Sequence, residues 1–431
     1  MQFQGEIKLK KLVLKGNIIF TSSKDKFDIY ENSYLVSENG KVVGIYKTLD
    51  NKYKTYPIKD FTDKLIIPGF VDLHLHAPQY PNMGLGMDKE LLPWLETYTF
   101  PEESKYADVK YAEKVYTKLI KDLKRYGTTS SVIFSSVHKE STKLLMDLFI
   151  KSKMRAYIGK VNMDRNSAPD LKEETAKSLE DTEEIIIEYK NKSHLVKPII
   201  TPRFVPTCSE DLMEGLGNLA EKYDVPIQSH LSENLDEVKW VKELHPDLPN
   251  YASVYNKYKL FTDKTVMAHC IHNTDEEIEL MAKNRVYAAH SIHSNLNLSS
   301  GVMPVRKFLE KEVLVGLGSD ISGGHTLGIT QVMVAAIQAS KMKWLYSDKK
   351  YKPLTTSEVF YLGTKGGGGF FGKVGSFEKD YELDCLVIDD TNINDSENLN
   401  LEERIQRFLY LGDDRNIMEV YVSGEKIEEI K

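Results

Sequence analysis

The sequence predicts an α/β protein: a (β/α)8 barrel of the TIM type with a small β-sandwich domain. Three observations lead to this prediction. Strand-like apolar runs alternate with amphipathic helical stretches through the centre of the chain. Eight such central runs can be counted, which is the number that closes a parallel barrel. Short runs typical of β structure occur at both ends of the chain, so the two ends are expected to share one domain.

The two ends of the chain carry the signals for the smaller domain. Short apolar runs cover residues 12–14, 17–20, 33–36 and 41–45 near the N-terminus, and 386–388 and 418–422 near the C-terminus. Asn39-Gly40 lies between two of these runs and is a typical hairpin turn. We therefore predict that residues 1–64 and 376–431 form the small β domain and that residues 65–375 form the barrel.

The centre of the chain contains the eight candidate strands of the barrel. They cover residues 65–76, 128–135, 155–161, 196–204, 225–230, 265–269, 286–290 and 314–320. Amphipathic stretches such as 171–190 and 275–283 lie between them and predict helices. An open doubly wound sheet is the alternative to a closed barrel. The polar residues at the strand ends favour the barrel, because there they would converge on one mouth.

Composition excludes several classes of protein. The net charge is −7 at pH 7, and nucleic-acid binding needs concentrated Lys and Arg, so we expect no nucleic-acid partner. No uncharged apolar stretch is long enough to span a bilayer, and residues 1–6 show no signal-peptide pattern. The three cysteines, Cys208, Cys270 and Cys385, are too widely spaced to suggest a disulfide framework. These features predict a cytoplasmic protein without a membrane partner.

His74 and His76, at the end of the first candidate strand, are the most informative residues. Side chains two positions apart on a strand point the same way, so these imidazoles can bind one metal ion. His230 and Asp320 end two later strands. A single strand-end histidine is more often structural, but several that converge on one mouth indicate a site. We predict that these four residues bind one divalent metal ion, zinc by preference and ferrous iron as the alternative.

Three strand-end residues are candidates for catalysis. A divalent metal ion makes water available as a nucleophile near neutral pH, and Asp320 could accept that water's proton. Glu233 follows His230 by three residues and could move protons without binding metal. Its alternative role is that of an ordinary residue of the next helix. His269 would either bind the metal or orient the water, and the sequence leaves both roles open. This set predicts a hydrolytic enzyme.

Two other patterns are predicted to be structural. The glycine-rich stretch 363–375 approaches a phosphate-binding loop, but Val374 stands where a hydroxyl residue would hold magnesium, and no strand leads into it. We therefore expect a structural loop. His138, His194 and His245 lie in polar, Lys-rich sequence and are expected at the surface.

The order of the strand-end residues resembles the amidohydrolase superfamily. No lysine ends the fourth candidate strand, where dinuclear members carry a bridging lysine, and Glu233 follows His230. Both features are similar to the mononuclear deaminase branch. Within that branch the chain resembles the guanine deaminase family along nearly its whole length. The motifs that carry this resemblance include residues 68–80, 98–102, 159–160, 163–166, 202–204, 229–233 and 318–324.

The resemblance implies hydrolysis of guanine to xanthine and ammonia, in purine catabolism or salvage, by a homodimer with one metal ion. It implies that Glu233 protonates the purine and that Asp320 takes the proton of water. The purine-binding residues that it implies are His76, Gln79, Arg203, Phe204, His230, Glu233 and Asp320. Without the resemblance, a structural salt bridge would be the expected role of Arg203.

Two alternatives keep part of this interpretation. The same metal site could act on another aminated heterocycle, such as a triazine. Residues 290–295 depart from the pattern of the family, since Ser291 and Ile292 replace its usual Cys-Pro, so the loop there could differ in shape. A binding scaffold without activity is the second alternative, but it is disfavoured because all four predicted ligand positions are filled.

Overall fold

The strands of the computed structural model fall into one terminal sheet and a set of central parallel sheets. The structure describes residues 10–394 and 399–428, so residues 1–6, on which the signal-peptide prediction rests, lie outside it. In chain order the strands are β1 (Lys11–Ser23), β2 (Lys26–Glu38), β3 (Lys41–Tyr46), β4 (Ile58–Pro68), β5 (Phe70–His76), β6 (Thr128–Phe134), β7 (Arg155–Gly159), β8 (Val161–Asn162), β9 (Val196–Pro198), β10 (Thr201–Pro202), β11 (Ile227–Leu231), β12 (Thr265–His269), β13 (Tyr287–His290), β14 (Leu314–Leu317), β15 (Cys385–Ile388), β16 (Ile417–Val422) and β17 (Glu425–Lys426).

The two ends of the chain contribute strands to one sheet. Its seven strands are ordered β17-β16-β15-β4-β1-β2-β3. The link between the ends is the antiparallel pairing of β15 with β4, in which Cys385 lies opposite Pro68. Asn39-Gly40 joins β2 to β3, and both residues have positive φ angles (52° and 79°), as a tight hairpin turn requires.

The central strands are parallel and form a barrel-like α/β fold. One sheet has the order β5-β6-β7-β9, a second has the order β11-β12-β13-β14, and β8 pairs with β10. Backbone hydrogen bonds join the two larger sheets at both edges. Gln228 N donates to Ile200 O (2.9 Å) at one edge, and Asp320 N donates to His74 O (2.8 Å) at the other. These bonds argue against the open doubly wound alternative, and the second one brings two predicted ligands side by side.

The first predicted barrel strand, 65–76, was too long. The chain instead forms β4 up to Pro68, in the terminal sheet, and β5 from Phe70, in the barrel. Gly69 separates the two strands, and a side chain there would overlap Thr129 of the neighbouring strand. A continuous apolar run can therefore belong to two sheets, because both are buried.

The other predicted barrel strands are present; 265–269 has the predicted bounds, and the rest are shorter or divided. The runs 155–161 and 196–204 each divide into two short strands, and 314–320 ends as a strand at Leu317. Pro198 ends β9 because proline has no N–H group to continue a ladder. The polar residues that follow these strands therefore lie on turns at the barrel mouth rather than on the strands themselves.

Fourteen α-helices surround the sheets in the described residues. They are α1 (Leu91–Trp94), α2 (Phe100–Glu103), α3 (Val109–Arg125), α4 (Lys139–Ser152), α5 (Thr175–Tyr189), α6 (Glu210–Tyr223), α7 (Leu235–Leu244), α8 (Tyr251–Lys257), α9 (Asp275–Asn284), α10 (Ile292–Asn297), α11 (Val305–Glu310), α12 (Ile329–Tyr346), α13 (Thr356–Tyr361) and α14 (Leu401–Leu411). The predicted helices 171–190 and 275–283 correspond to α5 and α9. Helix α9 begins where it does because Thr274 and Glu277 form a capping box. None of the helices in the described ranges combines the length and apolar character that a membrane crossing requires.

The predictions for the glycine-rich stretch and for three histidines away from the site were confirmed only in part. The glycine-rich stretch follows helix α13 rather than a strand, but it contains helical turns at Leu362–Gly366 and Gly369–Phe371, so the prediction of a plain loop was incomplete. His194 is exposed and His138 is half-buried. The prediction for His245 was wrong, because this residue is only 5% exposed.

Candidate active site

The four predicted metal ligands lie together at the barrel mouth. His74 and His76 lie on β5, His230 lies on β11, and Asp320 lies on the turn after β14. His74 Nε2 is 3.1 Å from Asp320 Oδ1, and His76 Nε2 is 3.1 Å from His230 Nε2. None of the four residues is more than 9% exposed. The parallel strands therefore bring four residues together from three separate parts of the chain.

The chemistry of these donors fits a divalent metal ion. The ligand atoms of His74, His76 and His230 all lie within 4.8 Å of one another, as do those of His74, His269 and Asp320. Burial, together with the nearby imidazole of His74, holds the pKa of His76 and of His230 well below the usual range. Neutral imidazoles offer lone pairs, and a set rich in nitrogen with one carboxylate suits zinc or ferrous iron.

Hydrogen bonds at Nδ1 fix the orientation of the imidazole rings of His230 and His269. His230 Nδ1 lies 2.6 Å from the backbone carbonyl oxygen of Arg203, and His269 Nδ1 lies 2.9 Å from Asn295 Oδ1. Both partners are acceptors, so each Nδ1 carries the proton and each Nε2 directs a lone pair into the site. Asn295 was not identified from the sequence, and its position five residues after His290 gave no signal of this role.

Glu233 and His269 adjoin the ligand cluster. Glu233 Oε2 is 3.2 Å from His269 Nε2, and the same nitrogen is 3.7 Å from Asp320 Oδ2. Burial, and then the charges of Asp320 and Glu237, raise the pKa of Glu233 well above its usual range. Burial opposes ionisation of Asp320 as well, yet the neighbouring His74 holds the pKa of Asp320 well below its usual range. Two carboxyl groups with opposite pKa shifts are suited to separate acid and base roles.

A cavity opens beside this cluster. The predicted purine-binding residues line it together with His269 and with an apolar wall that the sequence did not reveal; the wall consists of Leu91, Trp94, Leu95 and Leu298. Trp94 is held in place because its Nε1 donates to Leu85 O (2.9 Å). The cavity thus has a polar side that faces the ligand cluster and an apolar side, as sites for flat heterocycles commonly have.

Arg203 takes part in a buried salt bridge as well as lining the cavity. Its Nη1 lies 2.6 Å from Glu103 Oε2, and the side chains of the two residues are 3% and 1% exposed. The salt bridge that was the alternative role for Arg203 is therefore present. It does not exclude substrate contact, because Arg203 also lines the cavity and bonds to Glu103 only through Nη1.

Comparison with known proteins agrees with this geometry. The amidohydrolase family model matches residues 65–427. The chain is 39% identical to the guanine deaminase of Dictyostelium discoideum, over 98% of this chain and 100% of that protein. It is also 39% identical to the guanine deaminase of Homo sapiens, over 96% of each. The crystal structure of C. acetobutylicum guanine deaminase with guanine bound in its active site shares 56% identity and a TM-score of 0.95, covering 97% of this chain and 100% of that chain. The chain therefore belongs to the amidohydrolase family and, within it, to the guanine deaminase group.

Proposed function

We propose that this protein hydrolyses guanine to xanthine and ammonia. The observation that carries the proposal is that one cavity is lined by predicted metal ligands, by the carboxyl group of Glu233 and by Gln79 and Arg203, which offer hydrogen bonds to a purine. Relatives named guanine deaminase, one of them solved with guanine in its active site, support the choice of substrate.

We propose that His74, His76, His230 and Asp320 hold one divalent metal ion. Their burial and mutual distances support this assignment. Zinc suits the donor set best, and ferrous iron is the alternative. When bound, such an ion supplies an activated water molecule near neutral pH.

Three side chains would move or hold protons around the reacting carbon. Asp320, ionised, accepts a proton from the attacking water. Glu233, kept protonated by burial, donates its proton to the ring nitrogen next to that carbon. The ionised Glu233 then takes the proton of the newly added hydroxyl group and passes it to the departing amine. Return of the proton from Asp320 to Glu233 restores both carboxyl groups. His269 Nε2 lies within 3.7 Å of both carboxyl groups and would orient the water between them, although its distance to His74 also allows it to act as a ligand.

Three further residues that line the cavity, Gln79, Arg203 and Phe204, would select the purine. Arg203 donates to the purine oxygen, while Gln79 offers both a donor and an acceptor to the ring edge. Phe204 packs on the flat ring. A site built to hydrogen-bond an oxygen rejects an analogue that lacks it, so adenine should be a poor substrate.

We also propose a closed (β/α)8 barrel formed by residues 65–375 and a β-sandwich domain formed by residues 1–64 and 376–431, although β4 crosses the first of these boundaries. The parts of these ranges at 1–9, 395–398 and 429–431 lie outside the described residues. A cytoplasmic location is supported by three buried cysteines that form no disulfide. A homodimer is supported by Met342, Leu345 and Tyr346, which expose apolar surface near the end of α12.

The decisive experiment measures loss of guanine absorbance and release of ammonia on protein whose metal content is assayed in the same sample. Turnover with about one equivalent of metal, abolished by chelation and restored by zinc, is the expected result. Metal-loaded protein that turns over a triazine or another aminated heterocycle but not guanine would overturn the substrate assignment and keep the hydrolytic site.

A further inference from the structure

We propose that Glu103 is a positioning residue that fixes the orientation of Gln79 and Arg203 and thereby sets the selectivity for guanine. The inference rests on the proposed function, because it assumes that these two side chains contact the purine. Glu103 is the last residue of α2 and is 1% exposed. It does not line the cavity itself, so its effect would pass through its two partners.

A directed series of hydrogen bonds runs through Glu103. Ser322 N donates to Gln79 Oε1 (3.2 Å), and Gln79 Nε2 donates to Glu103 Oε1 (2.8 Å). Arg203 Nη1 donates to the other oxygen, Glu103 Oε2 (2.6 Å). An ionised carboxylate only accepts, so it satisfies two donors at once. The amide of Gln79 is thereby held with its nitrogen towards Glu103 and its oxygen towards Ser322, which determines what it offers to a substrate.

The same helix stabilises the charge of Arg203. An arginine side chain that is 3% exposed needs a nearby anion, and the carboxylate of Glu103 supplies it. Phe100 lies three residues earlier on α2, and its ring centroid is 5.3 Å from the guanidinium carbon. Residues three apart on a helix face the same way, so α2 contacts Arg203 from one side, while Arg203 also lines the cavity.

Replacement of Glu103 by glutamine should disrupt this series while preserving shape. The glutamine amide has one acceptor group and one donor group, but both of its partners are donors. One of the two hydrogen bonds therefore becomes a donor–donor contact. Rotation of the Gln79 amide would only move the mismatch to the N–H of Ser322. Either Gln79 or Arg203 must then leave the position in which it meets the purine.

The test compares wild-type protein, Glu103→Gln and Glu102→Gln by kinetics with guanine and by inhibition with 2-aminopurine, which lacks the purine oxygen. Selectivity is the inhibition constant of 2-aminopurine divided by the KM for guanine. For Glu103→Gln we expect selectivity to fall roughly tenfold or more, as for other sites that lose a hydrogen bond to substrate, with metal content unchanged. Glu102 is the matched control, because it is buried on the same helix but bonds to Lys105 and Tyr111. Its variant should keep wild-type selectivity.

The outcomes separate this inference from the proposed function. Wild-type protein that fails to turn over guanine would defeat the proposed function. Wild-type turnover together with unchanged selectivity in a folded, metal-bound Glu103→Gln variant would overturn the role of Glu103 alone. If that variant does not fold, Glu103→Asp serves instead, because it keeps both acceptors but draws them back by one methylene group. We expect a smaller fall in selectivity, about threefold, and unchanged selectivity would again overturn the inference.

Discussion

Glu233 and His269 face each other across the mouths of two neighbouring strands, with 3.2 Å between Glu233 Oε2 and His269 Nε2. Strands β11 and β12 pair in parallel, and Leu231 lies opposite His269. The backbone turns at the ends of both strands, where Ser232 and His269 have positive φ angles (52° and 71°). Glu233, the proposed proton donor, therefore lies just after the end of β11, before helix α7 begins at Leu235.

The first prediction concerns Glu233→Gln. The amide keeps the shape of the side chain but cannot exchange a proton, so metal content should stay at the wild-type level while kcat falls by roughly 10²–10⁴-fold. Metal analysis and ammonia release, measured on the same sample, check the metal content and kcat. Ser300→Ala is the control variant, because Ser300 Oγ donates a hydrogen bond to Glu233 Oε1 (3.3 Å) but leaves the carboxyl group itself in place. Loss of this hydrogen bond should lower kcat by less than about tenfold. Wild-type activity in Glu233→Gln would remove this residue from proton transfer.

The second prediction concerns the metal ligands. His230→Ala removes one imidazole from the cluster and also the hydrogen bond to Arg203 O, so metal occupancy should fall well below one equivalent and turnover should fall with it. His245→Ala is the control, because His245 is a buried histidine that contacts Glu210 and Arg165 instead of the cluster. Metal analysis after dialysis against a chelator distinguishes the two variants. Full occupancy in His230→Ala would show that this imidazole is not a ligand.

The predicted ligands that lie close together in the structure share one property, which is that local sequence reports their position. Side chains alternate along a strand, so His74 and His76 lie on the same face of the strand, independently of its tertiary contacts. His230 ends an apolar run that is too short for a helix, and Asp320 follows glycines that allow close approach. In a parallel barrel all such strand ends converge, so their grouping follows from the fold class alone.

The features that could not be predicted depend on distant partners. Glu103 is separated by 24 residues from Gln79 and by 100 residues from Arg203, so nothing in its own neighbourhood marks it as their common acceptor. His245 was expected at the surface for a similar reason, since local polarity does not reveal that Glu210 comes close to its ring. The division of the run 65–76 into two strands likewise depends on which strands pair with it.

The third prediction concerns Asn295→Leu. Leucine is similar in size but cannot accept the proton of His269 Nδ1, so the ring would lose its fixed tautomer and could rotate. We expect kcat to fall by roughly 10- to 100-fold with little change in the KM for guanine, since Asn295 is not among the residues that line the cavity. Steady-state kinetics on folded protein would check this. A larger change in KM than in kcat would contradict the assigned role.

A buried ion pair joins the barrel to the terminal sheet. Arg155, the first residue of β7, places Nη2 at 3.2 Å from Asp384 Oδ2, and the two side chains are 8% and 0% exposed. Asp384 Oδ1 also accepts from Ser423 N (2.7 Å). Burial raises the pKa of Asp384, while Arg155 favours its charged form. The pair therefore connects β7 to Asp384, which precedes β15, and through it to Ser423, which follows β16.

The last prediction is that Arg155→Met lowers the free energy of unfolding by roughly 3–5 kcal/mol, because it leaves a buried carboxylate without its cation. The double variant Arg155→Met with Asp384→Leu should recover part of this loss, since no buried charge is then left unpaired. Lys153→Met is the control: Lys153 pairs with Glu425 (2.7 Å) but is 62% exposed, so its loss should cost no more than about 1 kcal/mol. Urea unfolding of the four proteins measures these differences. Equal losses in Arg155→Met and Lys153→Met would show that burial does not strengthen the pair.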